Sequence, residues 1–171
     1  ISRFDGAAWS APTRTAKVNK TAHWNPVLFR DAADTIHLFF KVGVDEVNWA
    51  TYSMHSDDSG ATWSKPLELV PGDTGGRGPV KNKPIILADG AWLAPASLEV
   101  KKGRQEFWDA FSDRSEDSGK TWTRSLDIAV PEGKDKRFSG PGAIQPTFWE
   151  SEPGTVDALL RTGACIIWRT D

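Results

Sequence analysis

Apolar residues in this chain arrive in short bursts that alternate with polar ones, as in Ile36-His37-Leu38-Phe39-Phe40-Lys41-Val42 and Thr155-Val156-Asp157-Ala158-Leu159-Leu160-Arg161. That period suits strands with one face buried, and turn formers separate the bursts. The pattern predicts strands at about 25–30, 36–42, 47–54 and 63–69, then at about 82–88, 91–98, 104–112 and 121–129. Three more follow at about 144–149, 155–162 and 164–170. Asp89-Gly90, between two of these runs, is a strong hairpin signal. Helix is nearly absent from the reading.

The strands recur in units. Ser56-Asp57-Asp58-Ser59-Gly60-Ala61-Thr62-Trp63 returns as Ser115-Glu116-Asp117-Ser118-Gly119-Lys120-Thr121-Trp122, 59 residues later. A worn copy at the N-terminus keeps Ser2, Gly6 and Trp9. Pro26, Pro84 and Pro146 each follow a polar residue and open a first strand, and Trp49, Trp108 and Trp168 mark third strands. Such tandem four-stranded units are blades of a β-propeller. The parse gives the end of one blade at 1–22, a blade at 23–80, a second at 81–142 and an incomplete one at 143–171. Within each octet the Asp can accept turn amides, the Gly can take positive φ, and the Trp can anchor the turn on its own blade.

Composition narrows the class. Nine Trp against one Tyr, with 15 Gly and 11 Pro in 171 residues, is too aromatic for disorder and too rich in turn formers for a helical bundle. With 21 basic and 23 acidic residues interspersed, no broad positive field exists for a phosphate backbone, so nucleic acid is not expected as a partner. No apolar run approaches membrane-spanning length, and no membrane partner is expected. The opening ISRFDGAAW lacks the basic start and apolar run of a secretory signal. Cys165 stands alone and reads as a small core residue. His23, His37 and His55 are scattered, so neither metal nor cofactor is expected, and His37 reads as core.

The two octets, Ser56 to Trp63 and Ser115 to Trp122, match the Asp-box of sialidases, and the blade pattern resembles the sialidase-type six-bladed propeller. Six such blades need about 350 residues. This chain supplies about three, so its expected partners include the remainder of a propeller or a second copy that closes the ring. The resemblance implies a sialidase-like glycosidase acting on an acidic or other glycan and distinct from a standard sialidase. A non-catalytic glycan-binding or assembly propeller stays open, as does a polysaccharide lyase with His23 as base.

If the boxes share one end of the blades, the opposite end collects the starts of first strands and the ends of second strands. Fifteen residues after the three prolines stand Lys41, Glu99 and Arg161. Asp45, Trp24, Asn25, Lys81, Asn82, Lys83 and Gln145 belong to the same end, with Arg77 in the glycine-rich GDTGGRGP loop. Cations and amides there suit a sugar carboxylate, Trp24 a sugar face, and a carboxylic acid a leaving oxygen. Asp45 and Glu99 are therefore the catalytic candidates, and Arg161, Lys41, Arg77, Lys83, Asn25, Gln145 and Trp24 the substrate-binding ones. The resemblance implies that Arg161 matches the second arginine of the sialidase triad and Asp45 the acid/base. Trp24 stands where the first arginine belongs, and Gln145-Pro146 replaces a Glu-Pro pair. Tyr52 lies near a box, at the wrong end for a nucleophile.

Overall fold

The computed structural model describes residues 1–130, 141–163 and 167–170. All regular structure among them is antiparallel sheet. Strands β1 (His23–Arg30), β2 (Ile36–Gly43), β3 (Trp49–Ser56) and β4 (Leu67–Glu68) form one four-stranded sheet in chain order. β5 (Ile85–Ile86), β6 (Trp92–Lys102), β7 (Gln105–Ser115) and β8 (Thr123–Arg124) repeat it. β9 (Ala143–Glu152), β10 (Thr155–Thr162) and β11 (Ile167–Thr170) make a third. The fourth strands are two residues long where seven to nine were expected. Pro66, which has no amide to give, stands immediately before β4, and single bonds on either side, Ser64 N to His55 O and Leu69 N to Thr51 O, carry its pairing further.

The sheets are held face to face by alternate side chains. Val27, Phe29, Phe39 and Leu69 of the first meet Trp92, Ala94 and Trp122 of the second. Phe29 packs edge-on to Trp92 at 4.8 Å, and Phe39 edge-on to Trp122 at 6.2 Å. Leu93 and Ala110 of the second sheet meet Ala143, Phe148, Ala158 and Leu160 of the third. Each aromatic buried in these seams contributes about 1.5–3 kcal/mol. Leu38, Phe40, Val42 and Met54 line the other face of the first sheet, against Ala16, Val18, Tyr52 and Trp63.

Both octets fold alike. Ser115 Oγ donates to Asp117 Oδ1 at 2.8 Å and accepts from Gly119 N at 2.8 Å, while Thr121 N and Oγ1 donate to the two Asp117 oxygens at 2.8 and 2.6 Å. Ser56, Asp58, Gly60 and Thr62 reproduce these bonds. Ser118 and Gly119 take φ of 58° and 85°, the left-handed turn that Gly makes without strain. The Thr121 hydroxyl, ahead of its amide, holds the Asp117 carboxyl down to about 2. Trp122 anchors its turn on its own sheet, its indole donating to Gly119 O at 3.0 Å and its ring tilting against Trp92 at 6.4 Å, and the same ring crosses to Phe39 of the preceding sheet.

Thr35 Oγ1 donates to Asp57 at 2.8 Å and Arg114 pairs with Asp89 at 2.5 Å, so in both complete sheets the turn between first and second strands lies with the box. The remaining ends of the strands gather opposite.

Candidate functional site

Cross-strand register decides which residues are equivalent at that opposite end. Lys41 faces Thr51, five residues before the box serine Ser56. The residue facing Ala110, five before Ser115, is Ser97 rather than Glu99. In the third sheet Arg161 takes the Lys41 place, since Val27↔Phe39 and Thr147↔Leu159 are followed by matching bulges at Asn25-Pro26 and Gln145-Pro146. Asn25, Lys81 and Gln145 share positive φ of 45°, 61° and 58°. The residue after Lys81 is Asn82, so Pro84 sits two places late and counting from it overshoots. Glu99 instead pairs with Trp108, as Gly43 pairs with Trp49. Trp168 pairs with Leu160 and thus corresponds to Tyr52, not to Trp49.

Lys41 and Arg77 do not reach the open surface, which corrects their assignment to substrate. Lys41 is 0% exposed. Its ammonium donates to Thr51 Oγ1 at 2.7 Å and Arg77 O at 2.6 Å, with Gly76 O at 3.4 Å. Burial pushes its pKa down to about 7, the Asp113 carboxylate pulling it up and the Arg77 guanidinium down. Arg77 grips Asp113 with Nε at 3.0 Å and Nη2 at 2.6 Å, and Gly78 N adds 2.6 Å to the same carboxylate. The glycine-rich loop does bind a carboxylate, but it is the chain's own. Gly76 is required there, since a Cβ would fall 2.1 Å from Ser97 O.

His23 is likewise committed. Its Nε2 accepts from Val18 N at 3.0 Å, so its Nδ1 donates to Thr21 O at 2.9 Å, and the ring stacks on Phe40. That doubly bonded imidazole is not free to act as a base. His37, expected in the core, is half-buried, bonded to Asp31 Oδ2 at 2.9 Å and edge-on to Trp92. Tyr52 donates to Glu68 at 2.9 Å in mid-sheet. Cys165 lies outside the described residues.

Other expected residues do come together. The exposed Arg161 lays its guanidinium 4.7 Å over the Trp108 ring and donates from Nε to Gln145 Oε1 at 3.3 Å. Gln145 N donates to Ser97 Oγ at 3.0 Å, and Asn82 Nδ2 donates to the Gln145 and Pro146 carbonyls at 3.0 and 2.9 Å. Glu99 is half-buried among these groups. Its desolvation raises the carboxyl pKa, Glu46 adding repulsion and Arg161 opposing it, with smaller effects from Glu106 and Lys81. Beside it Lys101 pairs with Glu46 at 2.5 Å and lies 3.8 Å from Glu106. Asp45 feels the same Lys101 charge, but its Oδ1 caps its own loop, taking Val47 N, Asn48 N and Asn48 Nδ2 at 3.1, 3.0 and 2.8 Å. Trp24, 41% exposed, donates to Gly43 O at 2.9 Å and tilts against Trp49. Asn25 is half-buried at its bulge, and Lys83 is exposed.

Sequence reasoning missed Trp108 as a site residue by treating it as a repeat marker. Its Nε1 is buried and has no hydrogen-bond partner among the described residues. Its place directly opposite Glu99 was readable from the box spacing.

The chain matches the BNR repeat-like domain family over residues 1–171 and belongs to it. It is 28% identical over 89 residues to a sialidase of Clostridium perfringens, an alignment covering 44% of this chain and 22% of that enzyme. A Paraclostridium sordellii sialidase is 25% identical over 97 residues, covering 49% of this chain and 23% of its own. A Dyadobacter fermentans protein of unknown function superposes with TM-score 0.69 at 18% identity, over 92% of this chain and 49% of that one. The Hadza microbial sialidase Hz136 gives 0.64 at 19%, over 84% and 30%. The chain thus spans under a quarter of the two curated sialidases and at most half of the two solved structures. Its fold is all-β, a partial propeller of sialidase type.

Proposed function

We propose that these blades form one wall of a sialidase-like glycoside hydrolase that takes an acidic or other glycan at the end opposite the boxes. The observation that carries the reading is the joining of Glu99, Arg161, Gln145 and Trp108 in one cluster. Glu99 supplies a carboxylic acid kept protonated to higher pH by partial burial, suited to giving its proton to a leaving oxygen. Arg161, outermost in the cluster, supplies the charge for a sugar carboxylate, with Trp108 fixing the guanidinium plane. Further blades, from additional sequence or a second copy, complete the ring and add whatever nucleophile it uses.

The capping of its own loop by Asp45 favours a second reading, a glycan-binding propeller without turnover, because the second catalytic carboxylate expected beside Glu99 is engaged with its own loop amides. The test is made on the protein with its ring complete. Aryl glycosides of acidic and neutral sugars are assayed with wild type, Glu99→Gln and Arg161→Ala. Hydrolysis lost at least about 100-fold in Glu99→Gln, with glycan binding kept, supports the hydrolase. Binding without turnover in wild type supports the second reading. Wild type that binds none of the sugars overturns both.

A further inference from the structure

Proline follows the bulge residue in the first and third blades, as Pro26 and Pro146, and the middle blade has Asn82 there instead. What the exchange supplies is a side-chain amide. Asn82 Nδ2 donates to Gln145 O at 3.0 Å and to Pro146 O at 2.9 Å, two acceptors served by the two hydrogens of one NH2 group. From the other side of the same residue, Gln145 N donates to Ser97 Oγ at 3.0 Å. Ser97 is buried and alternates along β6 with Leu93 and Glu99, on the face that meets the third sheet.

Both ties land on a residue in an unfavourable conformation. Gln145 takes φ of 58°, the left-handed region that side chains other than Asn and Asp avoid. Such a conformation persists only where its surroundings impose it, and here the second blade holds both the amide and the carbonyl of the residue. The side chain aimed in this way accepts Arg161 Nε at 3.3 Å, and the Trp108 ring lies 4.7 Å from the guanidinium carbon. Arg161 is exposed and makes no other side-chain hydrogen bond among the described residues, so its direction follows from where Gln145 and Trp108 stand. Leu93, Ala110, Phe148 and Leu160 already close this seam by apolar packing. The polar ties converge instead on the one residue that meets the arginine.

We propose that Asn82 and Ser97 are positioning residues: they hold Gln145 in its strained bulge, and Gln145 with Trp108 points Arg161 at the acidic group of the ligand. The inference rests on the glycan reading above and extends it from the groups that meet the sugar to two that act through another residue.

Side-chain nitrogen NMR of the ring-complete protein reads the positioning without a ligand. The Arg161 Nε–H resonance, assigned by its loss in Arg161→Lys, should give the heteronuclear Overhauser effect of a rigid group in wild type. In Asn82→Ala, in Ser97→Ala and in Asn82→Pro, which restores the residue of the other two blades, it should fall to that of a free side chain. A mobile Nε–H in wild type, or one equally rigid in the folded variants, overturns the proposal. Loss of the fold in all three variants overturns it too, since the residues are then structural.

Calorimetry with sialic acid and galacturonate reads the consequence. Asn82→Ala should weaken whichever acid binds by about fivefold or more, and should add nothing in a Gln145→Ala background, because it acts through Gln145. Losses that add in the double variant overturn the positioning. An arginine that is rigid in wild type and released in the variants, with neither acid bound, overturns the glycan reading and leaves the hold on Arg161 standing.

Discussion

Lys41 and Arg161 occupy the same place in the repeat and do opposite things. Lys41 reaches forward, into carbonyls of the linker that leads to the next blade, and is sealed there. Arg161 turns back over Trp108 of the preceding blade and stays exposed. A cation at this position is thus not in itself a binding residue, and its role follows from which neighbour supplies its partners. Ser97, at the same place in the middle blade, shows a third outcome, a hydroxyl used to accept the amide of Gln145. Glu99 stands two residues further out than Ser97 on the same strand, at the Trp108 pair, and is only half-buried.

The comparison can be broken most forcefully from beneath. Asp113→Ala leaves Arg77 buried without its bidentate partner and Lys41 without its nearest carboxylate. It should cost about 3–5 kcal/mol of stability in denaturant unfolding, with glycan affinity of the surviving folded fraction unchanged. Next in size, Arg161→Ala should weaken binding of an acidic sugar by about 10- to 100-fold, with the melting temperature unmoved. If the melting temperature falls instead, Arg161 is a structural cation like Lys41. Third, Lys41→Met sharpens the contrast through pH. Because the folded chain holds Lys41 near 7 while the unfolded chain titrates near 10.5, the unfolded state binds more protons between those values. Wild-type stability relative to Lys41→Met should therefore rise from pH 7 toward 10, as read by paired unfolding curves. Smallest is Asp117→Asn. Its carboxyl is lower in the folded state, so the stability it gives is present above pH 3.8 and lost as pH falls toward 2. The variant should show a shallower acid transition by circular dichroism.

Much of the fold was readable because the box is a local device: Ser, Asp, Gly and Thr bond to one another within eight residues, so sequence alone carries the geometry. Proline spacing was a poorer ruler. The middle blade has Asn82 where the others have proline, and its first strand shrinks to Ile85–Ile86, so counting from Pro84 paired Glu99 with the wrong equivalents. Counting back from Ser115 gives the right register. Glu99, Arg161 and Gln145 were identifiable as charged or polar groups at strand ends. The burial of Lys41 and Arg77 was not, because it depends on Asp113, which lies 36 residues past Arg77 in an otherwise ordinary strand.

The linker between the first two blades bears on how the protein can be divided. Residues 69–80 put Leu69 into the first seam, lend their carbonyls to Lys41 and fasten Arg77 to Asp113 of β7. Cutting the chain after β4 leaves the buried ammonium with only Thr51 Oγ1 of its acceptors and uncovers Phe29 and Phe39, while cutting it before β5 removes the cation that Asp113 holds. The modular unit is accordingly the seam with its two half-blades, and domain exchange or circular permutation will succeed at the exposed Asp89-Gly90 turn sooner than at the boundary between repeats.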